Sequence, residues 1–140
     1  MNVDDIKRVA VIGAGQMGHG IAQVFALAGY EVNLNSRSEE GLQKAIKDIQ
    51  DDLQSLIEFG LATQEQADSV LPRIHTGTSL RESVADANVV IEAVYEDLAL
   101  KQRVFQELDE FCPEHAILAS STQPSFRASW RRVAGAPTKS

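Results

Sequence analysis

Three glycines in "VIGAGQMGHG" stand at the spacing G-x-G-x-x-G, as Gly13-Ala14-Gly15-Gln16-Met17-Gly18. Between a strand and a helix, that spacing has a specific use. Gly13 lets the chain turn tightly. Gly15 offers bare backbone to a close-approaching pyrophosphate. Gly18 lets the helix pack closely against the strand. The unpaired N–H groups and the positive end of the helix dipole then hold the phosphates. Without those flanking elements the same residues are an ordinary glycine-rich turn. About 20 residues past such a loop, dinucleotide sites place an Asp or Glu on the adenosine ribose hydroxyls. Here the stretch reads Ser36-Arg37. A carboxylate repels a ribose 2′-phosphate, whereas a serine and an arginine can bind one. The pair therefore tilts the cofactor from NAD toward NADP, unless Arg37 merely stacks on adenine or points into solvent.

These residues need a scaffold, and the surrounding pattern supplies one. "RVAVI" is a short continuous apolar run, as a strand buried on both faces requires. Met17, Ile21, Val24, Phe25 and Ala28 follow at helical spacing, and Gly29 ends that helix. "EVNLN" alternates as a second strand. Ser38 is placed to cap a long helix striped by Leu42, Ala45, Ile46, Ile49, Leu53, Leu56 and Ile57, stopped by Gly60. "TQEQ" reads as a capping box for a short helix ending near Pro72. "RIHTGT" is a weak third strand and "NVVIEAV" a strongly apolar fourth. Asp97 caps a helix striped by Leu100, Val104, Phe105, Leu108 and Phe111. "HAILAS" is the fifth strand. Such alternation predicts an α/β fold: a doubly wound parallel sheet with helices on both faces.

Three separated segments, "VAVIGAGQMGHGIAQVFALAGYEV", "VVIEAVYEDLALKQRVFQELDEFCP" and "AILASST", resemble the NAD-binding domain of the L-3-hydroxyacyl-CoA dehydrogenase family. That family includes bacterial fatty-oxidation and hydroxybutyryl-CoA enzymes, carnitine dehydrogenase and lambda-crystallin relatives. The resemblance covers about residues 7–122. It implies a Rossmann domain, NAD(H), and hydride transfer at the C3 hydroxyl of an acyl thioester or similar hydroxy acid. It carries the glycine loop over directly. Glu96 and Lys101 match the family's glutamate and lysine near the nicotinamide ribose. Ser120, Ser121 and Thr122 match the segment that closes the fifth strand and faces the substrate hydroxyl. Both places lie at strand carboxyl ends beside the point where an open α/β sheet binds ligands. Without a ligand role, Glu96 and Lys101 are a solvated helix start, and the hydroxyls satisfy the strand-to-helix turn.

The departures are equally informative. The family's ribose-binding Asp is replaced by Ser36. From Gln123-Pro124 onward the sequence ceases to resemble the family, which marks either a truncation or a change of frame. The family's catalytic histidine lies in an "HFFNP"-like segment, and none occurs among these 140 residues. His19, His75 and His115 do not match it and are expected at the surface or at element boundaries. No metal-ligand cluster or nucleophile–base pair stands in its place. The expected organisation is a Rossmann domain over 1–122, a divergent basic tail over 123–140, and a sheet incomplete at its C-terminal end without the helical substrate domain. Residues 125–140 hold Arg127, Arg131, Arg132 and Lys139 and no acid.

The net charge of −7 argues against nucleic acid or an anionic membrane as partner. A single cysteine, Cys112, excludes an internal disulfide, fits a reducing compartment such as the cytoplasm, and suits a small buried position. The N-terminus "MNVDDIKR" is not a signal peptide, and no apolar run approaches membrane-spanning length. The expected partner is a dinucleotide. An acyl-CoA or hydroxy-acid substrate and a dimer belong to the full-length family protein. Two other readings stay open: an NADP-linked enzyme of the 3-hydroxyisobutyrate or 6-phosphogluconate dehydrogenase type, and a non-catalytic dinucleotide-binding module.

Overall fold

A computed structural model of the chain describes residues 6–94, 98–114 and 116–120. Its sheet has five parallel strands in the order β3-β2-β1-β4-β5. The strands are β1 (Arg8–Ile12), β2 (Glu31–Asn35), β3 (Ile74–Gly77), β4 (Val89–Glu92) and β5 (Ile117–Ser120). The helices are α1 (Gln16–Leu27), α2 (Glu39–Glu58), α3 (Gln64–Asp68), α4 (Leu80–Val84) and α5 (Leu98–Phe111). The chain runs outward from β1 to β3, then returns to place β4 on the other side of β1. The β1–β4 junction is therefore the switch point, and its carboxyl-end crevice is where such sheets take ligands.

Two apolar layers sandwich the sheet. Val9, Val11, Val32 and Leu34 pack against α1 and α2 through Ala22, Ala26, Leu42, Ala45, Ile49 and Leu53. Ala10, Ile12, Val90 and Leu118 pack on the opposite face against Val84, Val104, Phe105, Leu108 and Cys112. Residues 9–12 of β1 thus lose both faces to the core, which explains an unbroken apolar run. The alternation of β2 has a different cause. Val32 and Leu34 enter the first layer, while Asn33 and Asn35 face α4. Asn33 Nδ2 donates to the Ser83 carbonyl at 2.9 Å, and Asn35 Nδ2 reaches Ser83 Oγ at 3.2 Å.

The element ends follow local chemistry. Ser38 Oγ accepts from the Gly41 N–H at 3.0 Å, capping α2. Thr63 and Gln66 form the reciprocal capping box of α3. Gly29 and Gly60 adopt φ of +102° and +73° after α1 and α2, a conformation that favours glycine. Pro72 falls in a 3-10 turn, Leu71–Arg73, beyond the end of α3.

Two expectations need correction, and one helix was absent from the sequence reading. The buried face of α1 is Gly18, His19, Ala22, Gln23 and Ala26, while Val24 is exposed. The helix approaches the sheet through small residues, so its large apolar side chains lie to the flank. The fourth strand is shorter than Asn88–Val94, because Ala93 and Val94 already turn into the crevice. Helix α4 has no apolar stripe long enough to show in the sequence; Ser79 Oγ starts it by accepting from the Glu82 N–H at 3.2 Å. The cap expected from Asp97 and the basic tail over 123–140 lie outside the described residues.

Candidate dinucleotide site

The glycine loop joins β1 to α1 at the switch point, and each glycine has a separate steric reason. Gly13 sits at φ +109°, and a Cβ there would lie 2.7 Å from the Ala93 carbonyl oxygen of the neighbouring crossover. A Cβ on Gly18 would lie 1.7 Å from the Gly13 carbonyl oxygen, so α1 rests directly on the loop. A Cβ on Gly15 would meet nothing within 4 Å. The fold needs glycine at 13 and 18; at 15 the space above the backbone is open. Gly15 is also the N-cap of α1, offers no side-chain cap, and the first turn holds no acid. That leaves a helix start suited to an external anion.

The loop opens into a cleft of about 1460 Å³ across the carboxyl end of the sheet. Gly13, Ala14, Gly15 and Gln16 line it, as do Asn35, Ser36 and Arg37 from the end of β2. Arg37 is exposed in this cleft and Ser36 is half-buried, with Gly41 close beneath it. Thr78, Ser79, Leu80 and Arg81 form a further wall. There the Arg81 guanidinium lies 5.1 Å from the centre of the Phe111 ring, a cation–π contact. Asp48 of α2 also lines the cleft, and its bond from Lys44 holds its carboxyl below the usual carboxylate range. Met17 and Gly18 support the loop without lining the cleft.

Lys101 and Ser120 come together, but behind the cleft wall rather than in it. Both are buried, at 5% and 3% exposure, around the fully buried Glu92. The strand register sets Ile12 beside Glu92 and Glu92 beside Ser120 in one row. Ser120 Oγ donates to Glu92 Oε1 at 2.7 Å, and Lys101 Nζ lies 3.3 Å from Glu92 Oε2. The Val94 N–H donates to Glu92 Oε2, and Lys101 Nζ donates to the Val94 carbonyl. Glu96, Ser121 and Thr122 lie outside the described residues, as does His115.

Two residues of this region escaped the sequence reading. Glu92 ends an apolar strand, and an acid on a strand buried on both faces demands a partner; that was the available signal. His19 is buried in α1 instead of lying at the surface. Its Nδ1 is 2.9 Å from the Gly15 carbonyl, which can only accept, so Nδ1 carries the hydrogen. Its Nε2 lies 3.7 Å from Asp52 of α2. His19 directly follows the loop's last glycine and bonds back one turn to Gly15, which spacing alone does not reveal. His75 does lie at a boundary, half-exposed on β3, with Nε2 2.7 Å from Glu31.

A parallel sheet in this order, with a glycine loop and an open helix start at its switch point, defines a dinucleotide-binding Rossmann domain. Comparison with known proteins narrows the class. The family model of the 3-hydroxyacyl-CoA dehydrogenase NAD-binding domain matches residues 8–126, and the chain belongs to that family. The match continues past Thr122, where the resemblance was expected to stop. Over 117 residues the chain is 41% identical to the Arabidopsis thaliana peroxisomal fatty acid beta-oxidation multifunctional protein, covering 84% of this chain and 16% of that one. It is 41% identical over 118 residues to a probable 3-hydroxybutyryl-CoA dehydrogenase of Bacillus subtilis, covering 84% of this chain and 41% of the relative. The crystal structure of Escherichia coli 3-hydroxybutyryl-CoA dehydrogenase superposes with a TM-score of 0.77 at 39% identity, covering 83% of this chain and 24% of that one. The chain therefore spans less than half the length of these relatives. Among the described residues no helix is long and apolar enough to cross a membrane, and no cluster of His, Cys, Asp and Glu is arranged to hold a metal ion.

Proposed function

We propose that the chain is the cofactor module of a 3-hydroxyacyl-CoA dehydrogenase and binds NAD(H) across the switch-point cleft. The pyrophosphate sits on the backbone of Gly13–Gly18, with Gln16 and Met17 at the helix start. The adenosine ribose lies against Ser36 and Arg37. The nicotinamide lies toward Glu96, Lys101 and Ser120–Thr122. The observation that carries this reading is the open space over Gly15 at an uncapped, acid-free helix start, continuous with a cleft that reaches Ser36. Bound NAD supplies the hydride acceptor. The protein's residues supply an anion cradle, a ribose contact and a buried polar wall. In the whole protein the substrate is a 3-hydroxyacyl thioester or a related hydroxy acid, and the protein dimerises. The proton acceptor for the hydroxyl comes from outside these 140 residues. A reducing compartment such as the cytoplasm suits the buried Cys112.

One observation favours a second cofactor. Ser36 and Arg37 line the same cleft as the glycine loop, and the position that would carry a ribose-binding carboxylate has none. A ribose 2′-phosphate meets an arginine there and no repelling acid, so NADP(H) is the alternative ligand of the same site. Titrating wild type and Ser36→Asp with NADH and NADPH tests the assignment. The substitution is expected to lower the affinity for NADPH relative to NADH. An unchanged ratio places the ribose contact elsewhere.

A further inference from the structure

We infer that Glu92 is a positioning residue for the nicotinamide half of the dinucleotide. It sets the direction of the Ser120 hydroxyl and, with Lys101, pins the cleft wall at Val94. The inference rests on the dinucleotide reading above and assigns the network behind that site.

Glu92 is fully buried at the carboxyl end of β4, one strand from the glycine loop. Its two oxygens serve different elements. Oε1 accepts from Ser120 on β5 at 2.7 Å. A serine hydroxyl has one hydrogen. With that hydrogen directed at Glu92, the buried Ser120 hydroxyl is fixed behind the cleft wall with its lone pairs turned to its other neighbours. Oε2 accepts from the Val94 N–H, while Lys101, on α5, bridges Oε2 and the Val94 carbonyl. Both polar groups of the Val94 backbone are thus held by side chains. Val94 lines the cleft, and the preceding Ala93 carbonyl stands against Gly13. A shift of this wall would be felt at the mouth of the β1–β4 crevice. Ser36 and Arg37 lie on the other side of β1, so the network bears on the half of the ligand away from the adenosine. A well-packed apolar pair would fill the same space at no cost in stability. What it would lose is direction: the fixed hydroxyl and the held peptide.

The test titrates the purified 140-residue chain with NADH and with ADP-ribose, which keeps the adenosine and both phosphates but lacks nicotinamide. Glu92→Gln keeps the shape and exchanges an acceptor for a donor. It is expected to weaken NADH about tenfold, the loss of one charge-assisted hydrogen bond, and to leave ADP-ribose within about twofold. Ser120→Ala is expected to show the same selectivity, and the double variant Glu92→Gln/Ser120→Ala to be no worse than Glu92→Gln alone. If Glu92→Gln does not fold, Glu92→Asp keeps the charge opposite Lys101 but draws the carboxylate back from Ser120; the same selective loss of NADH is expected from it. Equal losses for the two probes, or unchanged NADH affinity, overturn the inference and leave dinucleotide binding standing. Wild type that binds neither probe overturns the dinucleotide reading and this inference with it.

Discussion

The three glycines of the loop look alike in sequence, yet their surroundings predict different responses to the same added methyl group. Gly18→Ala drives a Cβ to 1.7 Å from a backbone carbonyl that cannot move without shifting β1 or α1. Urea denaturation is expected to show a loss of about 3 kcal/mol, the upper end of overpacking costs. At Gly20, two residues on in the same helix, an added Cβ would have no neighbour within 4 Å. Gly20→Ala is expected to gain about 0.5–1 kcal/mol from helix propensity alone. Equal effects at the two positions would mean that α1 does not rest on the loop. Glu92 belongs to this comparison too. A buried acid is destabilising unless paired, and removing its partner is worse than removing both. Lys101→Met is therefore expected to cost about 3–5 kcal/mol, and Glu92→Gln/Lys101→Met less than that, both read as shifts of the urea midpoint.

Strands β2 and β3 are fastened at the surface by Glu31 and His75. The hydrogen bond from His75 holds the Glu31 carboxyl below its ordinary pKa of 4.5. A carboxylate with a lowered folded pKa stabilises the protein above its unfolded value and loses that contribution as the pH falls through the folded one. The difference in thermal midpoint between wild type and Glu31→Gln is thus expected to be present at pH 6 and to vanish well below pH 4. Both side chains are half-exposed, so the shift is small. A difference that persists in acid would assign the effect to something other than this pair. The strands and long helices were legible in the sequence because their signals are local: unbroken apolar runs, caps at Ser38 and Thr63, and stop glycines at 29 and 60. Helix α4 was not, since five residues carry no period. The α1 stripe was displaced because small residues, not large ones, set the approach to the sheet. The glycine loop could be read from its spacing together with the strand before it and the helix after it. The Glu92–Lys101–Ser120 cluster could not, because it joins β4, α5 and β5 through a strand register that is fixed only in three dimensions.

On the proposed function, the chain as a unit supplies the cofactor half of a reaction. A hydroxyl substrate needs a proton acceptor within hydrogen-bond reach, worth about 10²- to 10⁴-fold in rate, and walls that aim its C–H at the nicotinamide, worth roughly 7–11 kcal/mol. No segment of the 140 residues resembles the family's histidine motif. The isolated chain is expected to show no saturable oxidation of 3-hydroxybutyryl-CoA with NAD or NADP, measured by absorbance at the reduced cofactor's wavelength. Turnover at an ordinary kcat would send the search for a base to His19, His115 and Lys101. The central claim, that the switch-point cleft holds a dinucleotide by its pyrophosphate, is tested most directly by calorimetric titration of NADH into wild type and Gly15→Val. A Cβ at Gly15 would meet no atom within 4 Å, so the variant is expected to fold, as circular dichroism can verify. Saturable binding to wild type and none to the folded variant is the expected result. A folded Gly15→Val chain that binds NADH as tightly as wild type would contradict the account.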